Sequence, residues 1–151
     1  MYTTLSDQES LNVLKHDYLG HLTYIYQNRP FVVPITYFYY AEKNAIICYS
    51  AEGHKMNAMR KNNQVALSVV DVDSLTKWKS VMAHGEFEQL FGSDAKSYLH
   101  EFSLGIKSLI ETRELKEVSF ISEFSSKLVD ENLPMIFIIK IEEITGKKRQ
   151  D

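Results

Sequence analysis

The segment from Phe31 to Tyr40 constrains the fold more than any other part of the chain, because it is apolar or aromatic on both alternating faces. A strand with water on one side alternates apolar with polar residues, so this pattern predicts a strand that is covered on both sides. In a small barrel one face fills the interior, and a dimer partner and a flat aromatic cofactor are the candidates for the outer face. Pro34 cannot donate to a sheet ladder, which predicts an edge or an interruption where backbone groups are free to bind a ligand.

The rest of the pattern predicts an antiparallel barrel of six or seven strands with added helices. Ser6 and Glu9 form a capping box that opens a helix ending near His16. The stretch from Asp71 to Lys77 is predicted to be a polar loop, and Gly85 within a strand indicates a bulge or a close backbone approach. Further strands are predicted at 18–26, 45–50, 64–70, 78–88 and 135–144, with helices after Gly53 and from Ser93, and irregular or helical structure as far as Lys127.

The helix after Gly53 begins with two basic residues, His54 and Lys55, at the end where cations are disfavoured. An anion such as phosphate would explain this order, because the backbone N–H groups and the ammonium would then point at the same charge. Tyr49 and Ser50, at the end of the preceding strand, add two hydroxyls. The alternative is an ordinary helix start with solvated His and Lys side chains and Ser50 as the N-cap.

Composition limits the classes of protein that fit. With 151 residues, 44% apolar and 25% charged, the chain has the size and composition of a single globular domain, residues 1–151. A net charge of −3 gives no overall attraction to nucleic acid or to an anionic membrane. Cys48 is the only cysteine, which excludes an intrachain disulfide and a cysteine-rich zinc site. The lack of a secretory signal pattern and of a membrane-length apolar stretch predicts a soluble cytoplasmic protein. The histidine spacings indicate no metal site, and no dinucleotide or P-loop motif occurs.

Four segments are informative when they are taken in order: RPFVVPITYFYY, YSAEGHKMNAMRKNNQVALSV, WKSVMAHGEFEQL and IEEITGKKR. Their order and spacing resemble the pyridoxamine 5'-phosphate oxidase-like flavin-binding split barrels, and within that superfamily the nitroimidazole-resistance type. The resemblance runs from about Leu19 to Phe91 and resumes from about Met135 to Arg149. It implies a mainly β fold, a six- to seven-stranded antiparallel split barrel with peripheral helices.

The resemblance also implies an FMN site. His54 and Lys55 would hold the cofactor phosphate, with the hydroxyls of Tyr49 and Ser50. The family's usual pair is Arg-Lys, and a neutral His donates one hydrogen bond but contributes less charge, so weaker or pH-dependent phosphate binding is expected. Lys79 would favour the anionic reduced flavin if its ammonium lay near N1; the alternative is a surface lysine. The resemblance also implies that four residues of the strand from Phe31 to Tyr40 line the flavin: Val33, Pro34, Ile35 and Thr36. Three further residues would flank the ring or meet the flavin of the partner subunit: Trp78, Lys79 and Ser80.

The implied function is a homodimeric flavin-dependent oxidoreductase that reduces a small planar, nitro-aromatic-like molecule, with NADH or NADPH as a candidate electron donor. No catalytic residue is assigned. True pyridoxamine phosphate oxidase activity is not expected, because IKIEEITGKKRQ lacks the Trp and Arg/His groups with which those enzymes bind pyridoxal phosphate. The alternative is a non-catalytic module that binds flavin or haem for storage or sensing, with His21, His54 or His84 as an axial ligand.

Overall fold

A computed structural model describes residues 1–114 and 135–151 of the chain. Within these residues, seven strands and three α-helices form. The continuation predicted as far as Lys127 lies, beyond Glu114, outside the described residues. In chain order the elements are β1 (Tyr2–Thr4), α1 (Asp7–Lys15), β2 (Leu19–Tyr26), β3 (Arg29–Tyr40), a 3₁₀ helix (Ala41–Lys43), β4 (Ala45–Ser50), α2 (His54–Lys61), β5 (Gln64–Ser74), β6 (Lys77–Gln89), α3 (Gly92–Glu114) and β7 (Met135–Gln150).

The strands form an antiparallel barrel. Their order is β7-β4-β3-β2-β5-β6, and β6 pairs again with β7, which closes the barrel. The short β1 adds to the far end of β7, where Thr3 lies opposite Lys148. The predicted fold class, a mainly β antiparallel barrel of six to seven strands with peripheral helices, is confirmed.

The helices cover three different parts of this barrel. At one end α1 packs against the interior, where the Tyr37 hydroxyl donates to the Leu14 carbonyl oxygen at 2.8 Å. At the opposite end α2 packs against β2 and buries Met56 and Met59. On the outer wall α3 covers β3, β4 and β7 through a second apolar cluster, which includes Phe102, Ile106, Ile110, Ile47, Ile136 and Ile138.

The two faces of β3 differ along its length. Ile35, Tyr37 and Tyr39 are buried in the barrel interior, as predicted. On the outer face, Phe38 packs closely against α3, because a Cβ at Gly105 would lie only 2.2 Å from its ring. Val32, on the same face, is 60% exposed. Within the chain itself, the outer face of β3 is therefore covered along its second half, by α3, and open along its first half, where the predicted cover by a partner or a cofactor stays a prediction.

Two predicted boundaries are wrong for one physical reason. The segment from Asp71 to Lys77 is not a loop, because β5 continues to Ser74 and pairs Asp71 with Lys79 and Val72 with Trp78. Likewise β7 does not end at Ile144 but continues through a polar stretch to Gln150, paired with Lys77. In both places the backbone ladder of a neighbouring strand stabilises the extended conformation, although few apolar side chains are buried there.

Two local predictions are confirmed. The Ser6 hydroxyl accepts from the Glu9 N–H and the Glu9 carboxylate accepts from the Ser6 N–H, which completes the capping box of α1. The register of β6 against β7 shifts between His84 and Gly85, as expected for a bulge. A Cβ at Gly85 would lie 2.2 Å from the Lys140 carbonyl oxygen, so the close backbone approach is also present.

Candidate functional site

The first half of β3 has an open edge. Its residues 29–36 pair with β2, whereas pairing with β4 begins only at Tyr37 opposite Cys48. Thus the other edge of 31–36 has no strand partner among the described residues. The Tyr37 N–H points towards β2 and donates to the Tyr18 carbonyl oxygen at 2.8 Å. Because backbone groups alternate along a strand, the nitrogen of Pro34 faces the open edge, which confirms the predicted edge position.

The helix α2 begins shortly after β4, with His54 in contact with Phe31 of β3, and it has no side-chain cap. Gly53 is its N-cap residue, and no side chain in the described part of the chain accepts from the first turn. Ser50 is therefore not the N-cap, and its buried hydroxyl instead donates to the Ala51 carbonyl oxygen at 2.8 Å. The backbone N–H groups of the first turn thus remain donors without a side-chain acceptor.

The charges around the start of α2 favour an anion. The preceding acid, Glu52, accepts two hydrogen bonds from Arg60, from Nη1 at 2.6 Å and from Nη2 at 2.9 Å. These bonds lower the pKa of the Glu52 carboxyl and offset its charge. Lys55 is half-buried and has no ion pair or hydrogen bond with any described residue. Burial raises the pKa of the Cys48 thiol, and the nearby Lys55 ammonium partly opposes that rise.

The side chain of His54 lies in an aromatic cluster at the barrel end. Its Nδ1 lies 2.9 Å from the Tyr24 hydroxyl. Its ring centroid is 4.8 Å from that of Phe31 and 5.0 Å from that of Tyr26. The Lys61 ammonium lies 5.5 Å from the centre of the Tyr26 ring. Sequence reasoning missed these neighbours, because Tyr24 and His54 are separated by 30 residues and no local pattern connects them.

The other predicted site residues do not all lie together. The Tyr49 ring packs edge-on against Phe102 of α3, with centroids 5.5 Å apart, whereas Ser50 is on the opposite face of β4. The predicted trio on β6 is divided as well, because successive residues of a strand point to opposite faces. Lys79 lines a cavity of 440 Å³ with residues of α1 and α3. Trp78 and Ser80 share the outer face of the barrel.

A group of exposed apolar residues, the outer apolar face, extends over β2, β3, β5 and β6. The register connects these strands, because Leu19 is paired with Thr36, His21 with Pro34 and Ser68, and Ser68 with Met82. Several of these side chains are about half exposed or more, including Leu19 at 52% and Val72 at 63%. The outer apolar face consists of Leu19, Val32, Pro34, Val70, Val72 and Met82.

Comparison with known proteins identifies the family of the chain. The model of the pyridoxamine 5'-phosphate oxidase family matches residues 6–148. The chain belongs to this family. The chain is also similar to an uncharacterized protein of Rhizobium meliloti (strain 1021). The two are 26% identical over 144 residues, which span 95% of this chain and 92% of the relative.

Solved structures support the assignment to the pyridoxamine 5'-phosphate oxidase family. A FAD-binding protein from Mesorhizobium loti is 25% identical, with a TM-score of 0.77 and coverage of 100% of this chain and 98% of that one. A Bacteroides thetaiotaomicron protein that is only a candidate for 5-nitroimidazole antibiotic resistance has a TM-score of 0.68 at 14% identity. The match covers 98% of this chain and 87% of that one. The FAD and heme binding protein from Mycobacterium smegmatis has a TM-score of 0.67 at 16% identity. The match covers 99% of this chain and 74% of that one. The chain thus has the split-barrel fold of flavin-binding proteins, and the resemblance inferred from its sequence is confirmed.

As a member of the pyridoxamine 5'-phosphate oxidase family, the chain departs from the expected Arg-Lys pair at His54 and Lys55. The structure shows that the two side chains have different surroundings, since His54 contacts aromatic rings and Lys55 has no partner among the described residues. No helix in the described ranges is long and apolar enough to span a membrane.

Proposed function

We propose that the protein binds FMN, with the phosphate at the start of α2, and acts as an oxidoreductase on a small planar, nitro-aromatic-like molecule. The observation that carries the proposal is the first turn of α2, which has no side-chain cap. This turn contains Lys55, a lysine without a partner in the described residues. A phosphate there would accept hydrogen bonds from backbone N–H groups and would pair with the ammonium. Glu52, the acid that precedes the helix, is already paired with Arg60.

The phosphate would be held by a subset of the predicted residues. Lys55 supplies the charge, and His54 supplies a further hydrogen bond from the nitrogen that does not contact Tyr24. Ser50 lies close in sequence and is buried, and its hydroxyl would have to turn away from the Ala51 carbonyl to donate to phosphate. Tyr49 is less suited, because its ring packs against Phe102.

The open edge of β3 is the proposed neighbour of the flavin ring system. Val33 to Thr36 lie along this edge, and the Pro34 carbonyl and the Thr36 backbone groups, which face away from β2, can hydrogen-bond the polar rim of a flavin. Bound flavin supplies hydride and electron transfer, and the protein tunes it through the groups placed near the ring. Exclusion of water from this edge requires a cover, and the outer apolar face is adjacent to it.

A second copy of the chain is the proposed cover. The outer apolar face places half-exposed Val, Leu and Met side chains on four neighbouring strands, and a monomer gains nothing from exposing them. Pairing of two identical faces about a twofold axis would bury these side chains in both copies at once. The flavin would then bind between the two copies, with Trp78 and Ser80 of one copy near the flavin of the other.

Visible absorption of the purified protein, before and after FMN addition and desalting, tests the cofactor. We expect the wild type to retain a flavin band. In Lys55→Met we expect FMN affinity to fall by about tenfold or more relative to the wild type, because a charge-assisted hydrogen bond is lost. Riboflavin, which lacks the phosphate, is expected to bind both proteins equally. The matched control Lys43→Met alters an exposed lysine of the 3₁₀ helix and should bind FMN normally. Wild-type protein without FMN or FAD binding at micromolar concentration would refute the proposal.

Oxidoreductase activity is tested separately on flavin-loaded protein. We expect NADH or NADPH to bleach the flavin band without oxygen, and a nitro-aromatic acceptor to restore it. A flavin that neither nicotinamide reduces, although dithionite does, would contradict the proposed electron donor and favour a binding role.

The second candidate function is a non-catalytic module that binds haem or flavin. The observation that favours it is the exposed position of His21, paired with Pro34 within the outer apolar face, where an imidazole could ligate iron beside an apolar surface. A Soret band that is lost in His21→Ala would support haem binding. Unchanged haem binding in His21→Ala would exclude this residue as the ligand.

A further inference from the structure

We propose that Tyr24 is a positioning residue that fixes the tautomer of His54, so that a neutral imidazole presents Nε2–H as a hydrogen-bond donor to an anion at the start of α2. The inference rests on the proposed phosphate site, and it concerns a residue outside the set predicted from the sequence. It also explains how a histidine can replace an arginine in a phosphate site.

The environment of the Tyr24 hydroxyl determines the direction of the hydrogen bond. Tyr24 is only 3% exposed, and burial raises its pKa, so the hydroxyl keeps its proton. Nδ1 of His54, at 2.9 Å, is the only partner of this hydroxyl among the described residues. If Nδ1 carried the proton, the buried O–H would have no acceptor in the described residues, which is unfavourable. Tyr24 therefore donates, Nδ1 accepts, and the proton of the neutral ring resides on Nε2.

Aromatic contacts hold the ring in this orientation. Phe31 and Tyr26 contact the imidazole at centroid distances of 4.8 and 5.0 Å, with interplanar angles of 60° and 77°. A ring flip would exchange Nδ1 for a carbon atom at the Tyr24 hydroxyl and break the hydrogen bond. His54 is nonetheless an exposed residue, so the part of the ring that is not bonded to Tyr24 is accessible to a ligand.

The tautomer matters because the two ring nitrogens act oppositely on an anion. With the proton on Nε2, the accessible nitrogen donates to a phosphate oxygen. With the proton on Nδ1, the same nitrogen presents a lone pair, which repels the phosphate. Without the Tyr24 hydroxyl, Nδ1 of His54 no longer accepts a hydrogen bond that fixes the tautomer. Part of the population then adopts the Nδ1–H tautomer, which cannot donate from Nε2 to phosphate.

Nitrogen-15 NMR of the full chain without added ligand tests the tautomer directly, with the signals assigned through a His54→Gln variant. We expect the Nε2–H tautomer in the wild type and a mixture of both tautomers in Tyr24→Phe. Predominance of the Nδ1–H tautomer in the wild type would overturn the inference. This measurement needs no cofactor, so it decides the tautomer even if the proposed FMN site proves wrong.

Flavin binding tests the consequence. We expect Tyr24→Phe to weaken FMN binding about threefold to tenfold and to leave riboflavin binding unchanged. The matched control is Tyr26→Phe, because Tyr26 contacts His54 through its ring and makes no hydrogen bond to it in the described structure. Equal losses of FMN and riboflavin affinity in Tyr24→Phe would mean that Tyr24 only supports the fold, and would overturn the positioning role.

Discussion

The ion pair of Glu52 with Arg60 sets the charge that an anion meets at the start of α2. Its side chains are 53% and 36% exposed, and exposed ion pairs contribute little to folding stability. Arg60 is further fixed by donation from Nε to the Gln89 side chain at 2.9 Å. The pair is therefore expected to affect anion binding more than stability.

Removal of this guanidinium is expected to weaken FMN binding. In Arg60→Met the Glu52 carboxylate stays charged beside the phosphate site, and we expect about a twofold to fivefold loss of FMN affinity, larger at low salt. Riboflavin affinity should not change. Fluorescence titration of both flavins at two salt concentrations measures the effect.

The double variant Glu52→Gln/Arg60→Met separates two explanations. If Arg60 acts by neutralising Glu52, removing both charges should restore FMN affinity to near the wild-type value. Persistent weakness of the double variant would show instead that the guanidinium contacts the phosphate itself.

A second residue, Tyr40, predicts a pH dependence of stability. Its hydroxyl donates to Glu42 Oε2 at 2.7 Å, and this hydrogen bond, with burial and nearby carboxylates, raises the pKa of Tyr40 from 10.0 to about 12. Because the folded pKa lies above the unfolded one, the hydrogen bond stabilises the fold below about pH 10, and this contribution is lost as pH rises towards 12. Denaturant unfolding of wild type and Tyr40→Phe should differ below pH 10 and converge above it. A constant difference across this range would refute the assignment.

At the scale of elements, the junction of β6 and β7 depends on Gly85. Its missing side chain lets the Lys140 carbonyl oxygen approach to 2.2 Å from where a Cβ would lie, and backbone cannot move aside as a flexible side chain can. We expect Gly85→Ala to lower the free energy of unfolding by about 3 kcal/mol, measured by denaturant titration.

Gly53 provides the matched comparison for this substitution. A Cβ at Gly53 would meet no described atom within 4 Å, and its φ of 168° is extended backbone that any residue adopts. Gly53→Ala should therefore change stability by less than about 1 kcal/mol. Similar losses in both variants would show that glycine flexibility, rather than the close approach, is responsible.

The strands that could be predicted from the sequence are those whose side chains pack in the core. Phe31 to Tyr40 and Met135 to Ile139 have a clear apolar pattern because their inward residues fill the barrel. Tyr2–Thr4 and the end of β7 have no such pattern, since their side chains are largely exposed. They stay extended because they pair with each other and because the end of β7 also pairs with β6. Sequence patterns indicate burial, and these segments are stabilised by backbone hydrogen bonds between distant parts of the chain.

The candidate site, too, could be predicted only where the signal lies within one segment of the sequence. The cations that open α2 and the edge at Pro34 were visible as local exceptions to helix and sheet rules. The neighbours of His54 were not, because they belong to β2 and β3 and reach α2 only when the barrel closes. The neutralisation of Glu52 also lacked a signal, because a spacing of eight residues is not a usual helical ion-pair spacing.

At the scale of the whole molecule, closure of the barrel leaves an imbalance between its two sides. One outer wall is covered by α3, while β2, β5, β6 and the first half of β3 carry the outer apolar face without a covering element in the described residues. The outer apolar face includes Pro34, whose nitrogen faces the open edge of β3, and His54 at the start of α2 contacts Phe31 of the same strand. Dimerisation and flavin binding are therefore expected to be coupled, since both cover the same region.

Substitution at the centre of the outer apolar face tests this coupling. Val70 is 49% exposed and is paired with Ser80, and Val70→Lys would put two charges into a twofold interface, one from each copy. We expect the dimer to weaken about a hundredfold or more and flavin retention to fall with it, as measured by light scattering after size exclusion and by the flavin band of the same fractions. The matched control Leu104→Lys replaces a 53% exposed residue on α3 and should remain a flavin-retaining dimer. A Val70→Lys protein that is still dimeric would move the interface elsewhere, whereas a monomer that retains FMN would show that one copy suffices for the site.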